Sequence, residues 1–342
     1  MKQLLPAPLA GILTVFAFAP YGLWWLAPLT LAVLFHLLLD TTPKRAFLHG
    51  WLFGAGLLCT GLSWIENSMS AYGGMPTALA ITLALLLALL LALYYGLAAW
   101  LAVRITPVAA PRARLLALAV TFVVMEWIRG WFLSGFPWLT IGYTQIDTPL
   151  AAYAPVGGVL LVSLLLCLSA ASLVLLLPRE SASAVRNAGV VVVMLAVWLA
   201  GLHPGWKHWT EPAGDSRVVS LLQGNIPQEK KWKPEMLQPT LDFYIDHTLD
   251  NNEAELVLWP ESAIPALASQ VREAVIDPLR EALGEQGKVL VTGVLTHPEP
   301  DVYFNTLLAL DGGEFMYHKR HLVPFGEYFP LAWLWKDSLS GL

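Results

Sequence analysis

The sequence predicts a multi-span α-helical membrane domain followed by an α/β domain. Three observations carry that prediction. Hydrophobic residues make up 56 % of the 342 and charged residues only 13 %, against roughly 25 % charge in ordinary soluble domains. The charges are split unevenly. Residues 1–202 hold nine Lys and Arg and five Asp and Glu, whereas residues 203–342 hold 11 and 20. Apolar runs of membrane-spanning length fill the first part and disappear from the second. This composition excludes a disordered chain, a nucleic-acid binder and a secreted disulfide scaffold. The two cysteines, Cys59 and Cys167, sit inside apolar runs and read as small buried hydrophobes.

Seven candidate spans lie near residues 4–19, 23–39, 46–65, 76–103, 113–132, 150–177 and 188–202. Their connections alternate in charge. Lys2, Lys44, Arg45, Arg104, Arg112, Arg114, Arg179 and Arg186 fall on one side, while loops 21–22, 66–75 and 133–149 contain no Lys or Arg. The positive-inside rule puts the N-terminus in the cytoplasm, and seven crossings put residue 203 onward outside it. The first span also resembles a signal peptide, with an Ala17-Phe18-Ala19 step, but Pro20 follows at once and argues for retention. Segment 133–149 (FLSGFPWLTIGYTQIDT) is too polar and too broken by Gly and Pro to span, and is expected to lie along or dip into the outer interface.

Charges inside spans are costly and draw attention. Glu126 and Arg129 are three apart on one helix face near the outer end, and Glu66 ends the third span on the same side. Two readings stand side by side. One is a phospholipid headgroup site, with Arg129 toward phosphate and a carboxylate toward an amine. The other is a structural ion pair. Gly50-x-x-x-Gly54 fits close helix packing.

Residues 203–216 (HPGWKHWTEPAGDS) read as a linker, so the expected organisation is 1–202 transmembrane, 203–216 linker and 217–342 α/β. Strand candidates are Arg217–Gln223, Glu255–Trp259, Lys288–Thr296 and Val302–Leu310, with helical stretches near 235–250 and 268–286. Alternating strands and helices predict a sheet covered by helices, and the last two strands leave room only for a hairpin.

Chemistry gathers where such strands end. Four segments stand out: Gln223-Gly224-Asn225-Ile226-Pro227 leading to Lys230-Lys231-Trp232, Trp259-Pro260-Glu261-Ser262, Tyr303 to Thr306, and Lys319 to Glu327. Glu261 is delivered directly by an apolar strand. A carboxylate against low-dielectric walls has a raised pKa that suits a general base; the alternative is an exposed loop glutamate. Lys319 suits a fixed cation for an oxyanion, or is one more solvated charge beside Arg320. Glu327 would orient Lys319 or hold an amine, or is a loop charge. Trp232 would line an acyl groove or anchor at the bilayer. No metal signature, phosphate loop or other cofactor motif appears.

Taken together, QGNIPQEKKW, LVLWPESAIP, YFNT and HKRHLVPFGEYFP, placed after a multi-span region containing GFPWLTIGY, resemble the apolipoprotein N-acyltransferase family. The resemblance implies a nitrilase-like αββα sandwich for the second domain. It also implies transfer of a fatty acyl chain from a phospholipid to the α-amino group of the S-diacylglyceryl cysteine that begins an apolipoprotein, through a thioester on a catalytic cysteine. It requires no cofactor and places the protein in the bacterial inner membrane with the second domain periplasmic. By motif match Glu261 is the general base, Lys319 the oxyanion cation, Glu327 a further essential glutamate and Trp232 a residue near substrate.

The family's nucleophilic cysteine follows the lysine motif by some tens of residues, and no cysteine occurs here after Cys167. The expectation is therefore a C-terminally truncated chain, inactive by itself. The remainder would carry the nucleophile, the rest of the sandwich and an eighth span. Two other readings are a membrane-anchored nitrilase-like amidase acting on a soluble amide, and a transporter with an accessory domain. The second is disfavoured because the span charges cluster at one end.

Overall fold

A computed structural model describes residues 4–177, 184–203, 205, 209–299, 302–323 and 327. The chain divides into two compact units, Met1–Glu211 and Pro212–Leu342.

The first unit is entirely helical among the described residues. It contains α1 (Pro6–Val15), α2 (Leu26–Leu38), α3 (Pro43–Gly61), α4 (Trp64–Asn67) running into a wide turn at Ser68–Tyr72, α5 (Thr77–Leu91), α6 (Leu93–Ile105), α7 (Pro111–Arg129), α8 (Ala154–Leu175) and α9 (Ala184–Ala200). Each of the seven apolar runs read from the sequence overlaps one of these helices or a consecutive pair. By length and composition two described helical stretches suffice to cross a bilayer, Thr77–Ile105 and Pro149–Leu175, or three if Pro43–Gly61 and Trp64–Tyr72, bent by 44°, count as one. Pro6–Val15, Leu26–Leu38 and Asn187–Ala200 are apolar but shorter. Prolines open α1, α3 and α7 within their first two positions, where the missing N–H costs nothing.

Helix α3 is the centre of the unit, packing along both α1 and α6. Two glycines permit the approach to α6. A Cβ at Gly50 would sit 2.4 Å from the Tyr95 carbonyl oxygen, and one at Gly54 would sit 2.6 Å from the Tyr95 ring. Phe53 and Leu57 on the same helix are fully buried. Packing of this kind replaces the hydrophobic drive that helices lack inside lipid.

The charges in these helices are structural. Arg114 is 2 % exposed. Its guanidinium donates to the Leu39 carbonyl at 2.6 Å and the Thr106 carbonyl at 2.6 Å, tying the ends of α2 and α6 to the start of α7. Glu126 and Arg129 lie 3.9 Å apart with side chains 1 % exposed. Arg129 Nη1 donates to the Phe136 carbonyl at 2.8 Å and the Trp138 carbonyl at 2.6 Å, while Glu126 Oε1 accepts from the Ile141 amide at 2.8 Å. The headgroup reading of this pair is thereby corrected. Both side chains are buried, and Arg129 Nη1 and Glu126 Oε1 spend their hydrogen bonds on the backbone of segment 133–149, while Glu126 Oε2, Arg129 Nε and Arg129 Nη2 have no hydrogen-bond partner among the described residues. That segment folds into short 3₁₀ turns at Phe132–Ser134, Ile141–Gln145 and Pro149–Tyr153. It buries Ile141 and Gln145 while leaving Leu133, Trp138 and Ile146 exposed. Glu66 is also engaged, accepting from Ser70 Oγ at 3.0 Å.

The second unit is a five-stranded mixed sheet in the order β1 (Val219–Leu221), β2 (Leu256–Leu258), β3 (Val289–Glu299), β4 (Val302–Leu310), β5 (Glu314–His318). Strands β1, β2 and β3 pair in parallel, and β3, β4 and β5 antiparallel. Helices α10 (Gln228–Lys231) and α11 (Pro234–Leu249) link β1 to β2. A helical stretch made of α12 (Ala268–Val271), a wide turn at Arg272–Ile276 and α13 (Asp277–Gln286) links β2 to β3. The sequence reading missed β5. Asp311-Gly312-Gly313 ends β4 and is the hairpin turn that leads into β5, with Gly312 at φ +92°.

Register fixes which side chains enter the core. Leu290, Thr292 and Val294 on β3 pair with Leu310, Leu308 and Thr306 on β4, and all six are buried. Alternation along a strand then turns Gly293 and Asn305 to the opposite face. The core is completed by Leu241 and Tyr244 from α11 and Leu283 from α13. Lys288 is 4 % exposed and donates to the Thr248 and Leu249 carbonyls at 3.2 and 3.3 Å, closing the C-terminus of α11.

Replacing Arg114 with Met leaves these buried carbonyls without donors. It should lower the unfolding free energy of the detergent-solubilised protein by about 2–4 kcal/mol. Unchanged stability on SDS titration would contradict the structural role of Arg114.

Candidate active site

The site is built from the turn after β2 outward. Strand β2 is short because Pro260 cannot donate to the ladder. Its last paired contact is the Trp259 amide, which donates to the Val291 carbonyl at 2.9 Å. The Trp259 indole N–H donates to Thr248 Oγ1 at 2.9 Å, and its ring stacks on Tyr244 at 5.0 Å between centroids. Trp259 is thus held from both sides. The chain leaves it through Pro260 to Glu261, and then Ser262 at φ +51°.

Glu261 lies beside one edge of β3, and Asn305 belongs to β4 beyond the other. Between them stands Gly293. A Cβ there would come 2.4 Å from the Ser262 amide nitrogen and 2.9 Å from the Glu261 Cα. The glycine is what lets the Glu261 turn lie against β3.

Three predicted side chains meet at this point. Lys319 Nζ donates to Glu261 Oε1 at 3.3 Å and to Glu327 Oε1 at 2.9 Å. Asn305 Nδ2 donates to Glu261 Oε1 and, at 3.1 Å, to Glu327 Oε1. Glu327 Oε2 accepts from the Val323 amide at 2.8 Å. Lys319 is placed by the sheet: its amide donates to the Asn305 carbonyl at 2.9 Å, one step past the β4–β5 pairing of Thr306 with His318. Among the described residues no group of His, Cys, Asp and Glu is arranged to hold a metal.

The electrostatics follow from these contacts. The Glu327 carboxylate, with Glu261 in support, raises Lys319 above the ordinary lysine pKa despite partial burial. Partial burial pushes Glu327 up, but the Val323 amide, Lys319 and Asn305 outweigh it and leave Glu327 below the usual glutamate range. At neutral pH the cluster therefore contains a fixed ammonium and an ionised Glu327. Lys319 keeps its proton, so it suits stabilisation of negative charge and not proton abstraction. The apolar enclosure expected for Glu261 is not what surrounds it. Its side chain is 63 % exposed and faces a cation and an amide.

Trp232 follows α10 and is 48 % exposed. Its neighbour Lys231 donates from Nζ to the Glu261 carbonyl at 3.1 Å. Asn305 and Lys231 fall inside segments that the sequence singled out, but neither was picked as a site residue. Asn305 reads as one more strand residue until the register is known, and Lys231 as one charge in a basic pair.

A helical unit joined to a mixed-sheet unit that carries a Glu–Lys–Glu cluster defines the class, and comparison with known proteins agrees with it. Residues 10–172 match the family described as Apolipoprotein N-acyltransferase N-terminal domain, and residues 218–333 match Carbon-nitrogen hydrolase, so the sheet unit is nitrilase-like. The chain is 42 % identical over 335 residues to the apolipoprotein N-acyltransferase of Methylococcus capsulatus, covering 97 % of this chain and 65 % of that protein. It is 41 % identical to that of Pseudomonas putida (97 % and 65 %) and 37 % identical to that of Vibrio cholerae (95 % and 65 %). The chain is similar to apolipoprotein N-acyltransferases over nearly its whole length, and it spans about 65 % of the length of these relatives.

Glu327 makes a pH-dependent contribution to stability. Its folded pKa is depressed, so the contribution is complete above the unfolded value of about 4.3 and is lost as pH falls through the lower folded value. Urea unfolding should find E327Q less stable than the parent at neutral pH. The two should converge once the pH is below the ordinary glutamate range. A gap that persists in acid would contradict the ion pair.

Proposed function

We propose that the protein acts in lipoprotein maturation. In this reading it moves a fatty acyl chain from a phospholipid to the α-amino group of an apolipoprotein's N-terminal S-diacylglyceryl cysteine, by way of a thioester. The observation that carries the proposal is the meeting of Glu261, Lys319 and Glu327 around Asn305. It lies in a chain whose other unit consists of apolar helices.

Glu261 serves as general base and Lys319 as the oxyanion cation. In the first step Glu261 takes the proton of a cysteine thiol. The thiolate attacks the donor ester carbonyl, and the tetrahedral oxyanion rests on the Lys319 ammonium. The intermediate collapses to the thioester, and the proton passes to the departing lysophospholipid oxygen. In the second step the acceptor amine attacks the thioester, its proton goes to Glu261, and the thiolate leaves. Glu327 holds Lys319 in place, and Trp232 lies beside the acyl chain. The resemblance puts the nucleophile downstream of Lys319. Cys59 and Cys167 belong to α3 and α8 of the helical unit, and residues 1–342 contain no other cysteine. The polypeptide 1–342 alone is therefore expected to form no acyl-enzyme.

The domain division follows the sequence: 1–202 in the membrane, 203–216 a linker, 217–342 the catalytic part. The N-terminus is cytoplasmic and the catalytic part periplasmic, in the inner membrane. This placement rests on the charge of the connections. The acyl donor and the lipidated acceptor then reach the site by diffusion within the bilayer.

Two measurements test the proposal. The protein expressed from its complete reading frame, given phosphatidylethanolamine with a labelled acyl chain, should gain the mass of one acyl group. E261Q and K319M should each lower the rate of that gain at least 100-fold, on the order expected for loss of a base or an oxyanion donor. Hydrolysis of a soluble amide with no acyl-enzyme would favour the amidase reading instead. Separately, a protease site inserted at residue 250 should be cut by impermeant protease added to intact spheroplasts. Cleavage only after lysis would reverse the topology.

A further inference from the structure

None of the steps above uses Lys231, yet its ammonium is tied to the main chain of the proposed base. Lys231 Nζ donates to the Glu261 carbonyl at 3.1 Å, across 30 residues of sequence. Its neighbour Lys230 is exposed, whereas Lys231 is half-buried. Burial holds Lys231 below the ordinary lysine pKa, and attraction to Glu261 opposes that shift. Burying an ammonium is unfavourable unless it gains a partner, and here the partner is Glu261.

The Glu261 turn needs such a tie. Ser262 sits at φ +51°, a left-handed conformation that is strained for a non-glycine residue. The turn is held on one side by the Trp259 amide on Val291, and Gly293 leaves it room against β3. Lys231 holds it on the remaining side. The tie also reaches back to α10, a single helical turn in which the Lys231 amide donates to the Pro227 carbonyl at 3.1 Å. Trp232 follows directly. The same bond therefore fixes the start of the chain that carries Trp232 relative to the turn that carries Glu261.

Charge balance points the same way. The groups gathered around Glu261 in the described residues are the ammoniums of Lys231 and Lys319 and the carboxylate of Glu327. With Glu261 itself this makes two cations and two anions. Loss of Lys231 would leave one carboxylate uncompensated.

We infer that Lys231 is a positioning residue of the active site, whose ammonium clamps the Glu261 turn and sets Trp232 beside it. The inference rests on the acyl-transfer reading for its kinetic consequence and on the structure alone for its mechanical one, so the test has two arms. In the protein expressed from its complete reading frame, kcat and KM for thioester formation from labelled phosphatidylethanolamine are measured separately. K231M should lower kcat about tenfold or more, as displacement of a reacting group does, with KM changed less than twofold. K231R keeps the charge and the donors and should recover kcat to within about threefold of the parent. A K231M variant that keeps more than half the parental kcat, a change confined to KM, or a K231R variant as slow as K231M would overturn the inference. The second arm is amide hydrogen exchange across residues 259–264. Exchange should be faster in K231M and near parental in K231R, and unchanged exchange in K231M would overturn the inference whatever the enzyme does. A parent protein that forms no thioester would instead overturn the acyl-transfer reading, leaving the exchange arm to decide the clamp.

Discussion

Lys319 is the constraint on which the candidate site depends. Two carboxylates repel one another when drawn to a common point. Here a single ammonium donates to both, at 3.3 Å to Glu261 and 2.9 Å to Glu327, and Asn305 bridges the same two oxygens. The cation needs no flexible loop to find its position, because the β4–β5 ladder runs straight into it through the Asn305 carbonyl. For the proposed reaction, sheet register thus amounts to electrostatic preorganisation: the cation is in place before the negative charge of that reaction would develop.

The helical unit solves a different problem with similar means. A charge in an apolar environment must spend its hydrogen bonds on something. Arg114 spends them on the last carbonyls of α2 and α6, and Arg129 on the carbonyls of Phe136 and Trp138. In both cases the guanidinium fork satisfies backbone that has left a helix and has no ladder partner. These are costly side chains used as fasteners, which is why they look functional in a sequence.

Much of the architecture was legible before any coordinates. The apolar runs become helices, and the strands fall within a few residues of where alternation and Pro260 put them. Glu261, Lys319 and Glu327 come from two separate segments of the sequence and do converge. What was hidden was hidden for physical reasons. Strand β5 has five residues behind a glycine turn, too short to show a period. Asn305 gains its meaning from pairing register, which no local window contains. Lys231 acts on a main-chain carbonyl, an acceptor common to every residue and so invisible in composition. Glu126 and Arg129 were read correctly as neighbours, but their burial is a property of segment 133–149 folding back over them, which spacing along one helix cannot reveal.

The central claim is that Lys319 and Glu327 act as one unit. A double-mutant cycle on the unfolding free energy of the protein, using K319M, E327Q and the combination, tests it most directly. Both side chains are partly exposed, so the expected coupling is modest, about 0.5–1.5 kcal/mol at neutral pH. Strictly additive effects would mean that the two groups merely lie near each other, and the account of a preorganised cation would fail.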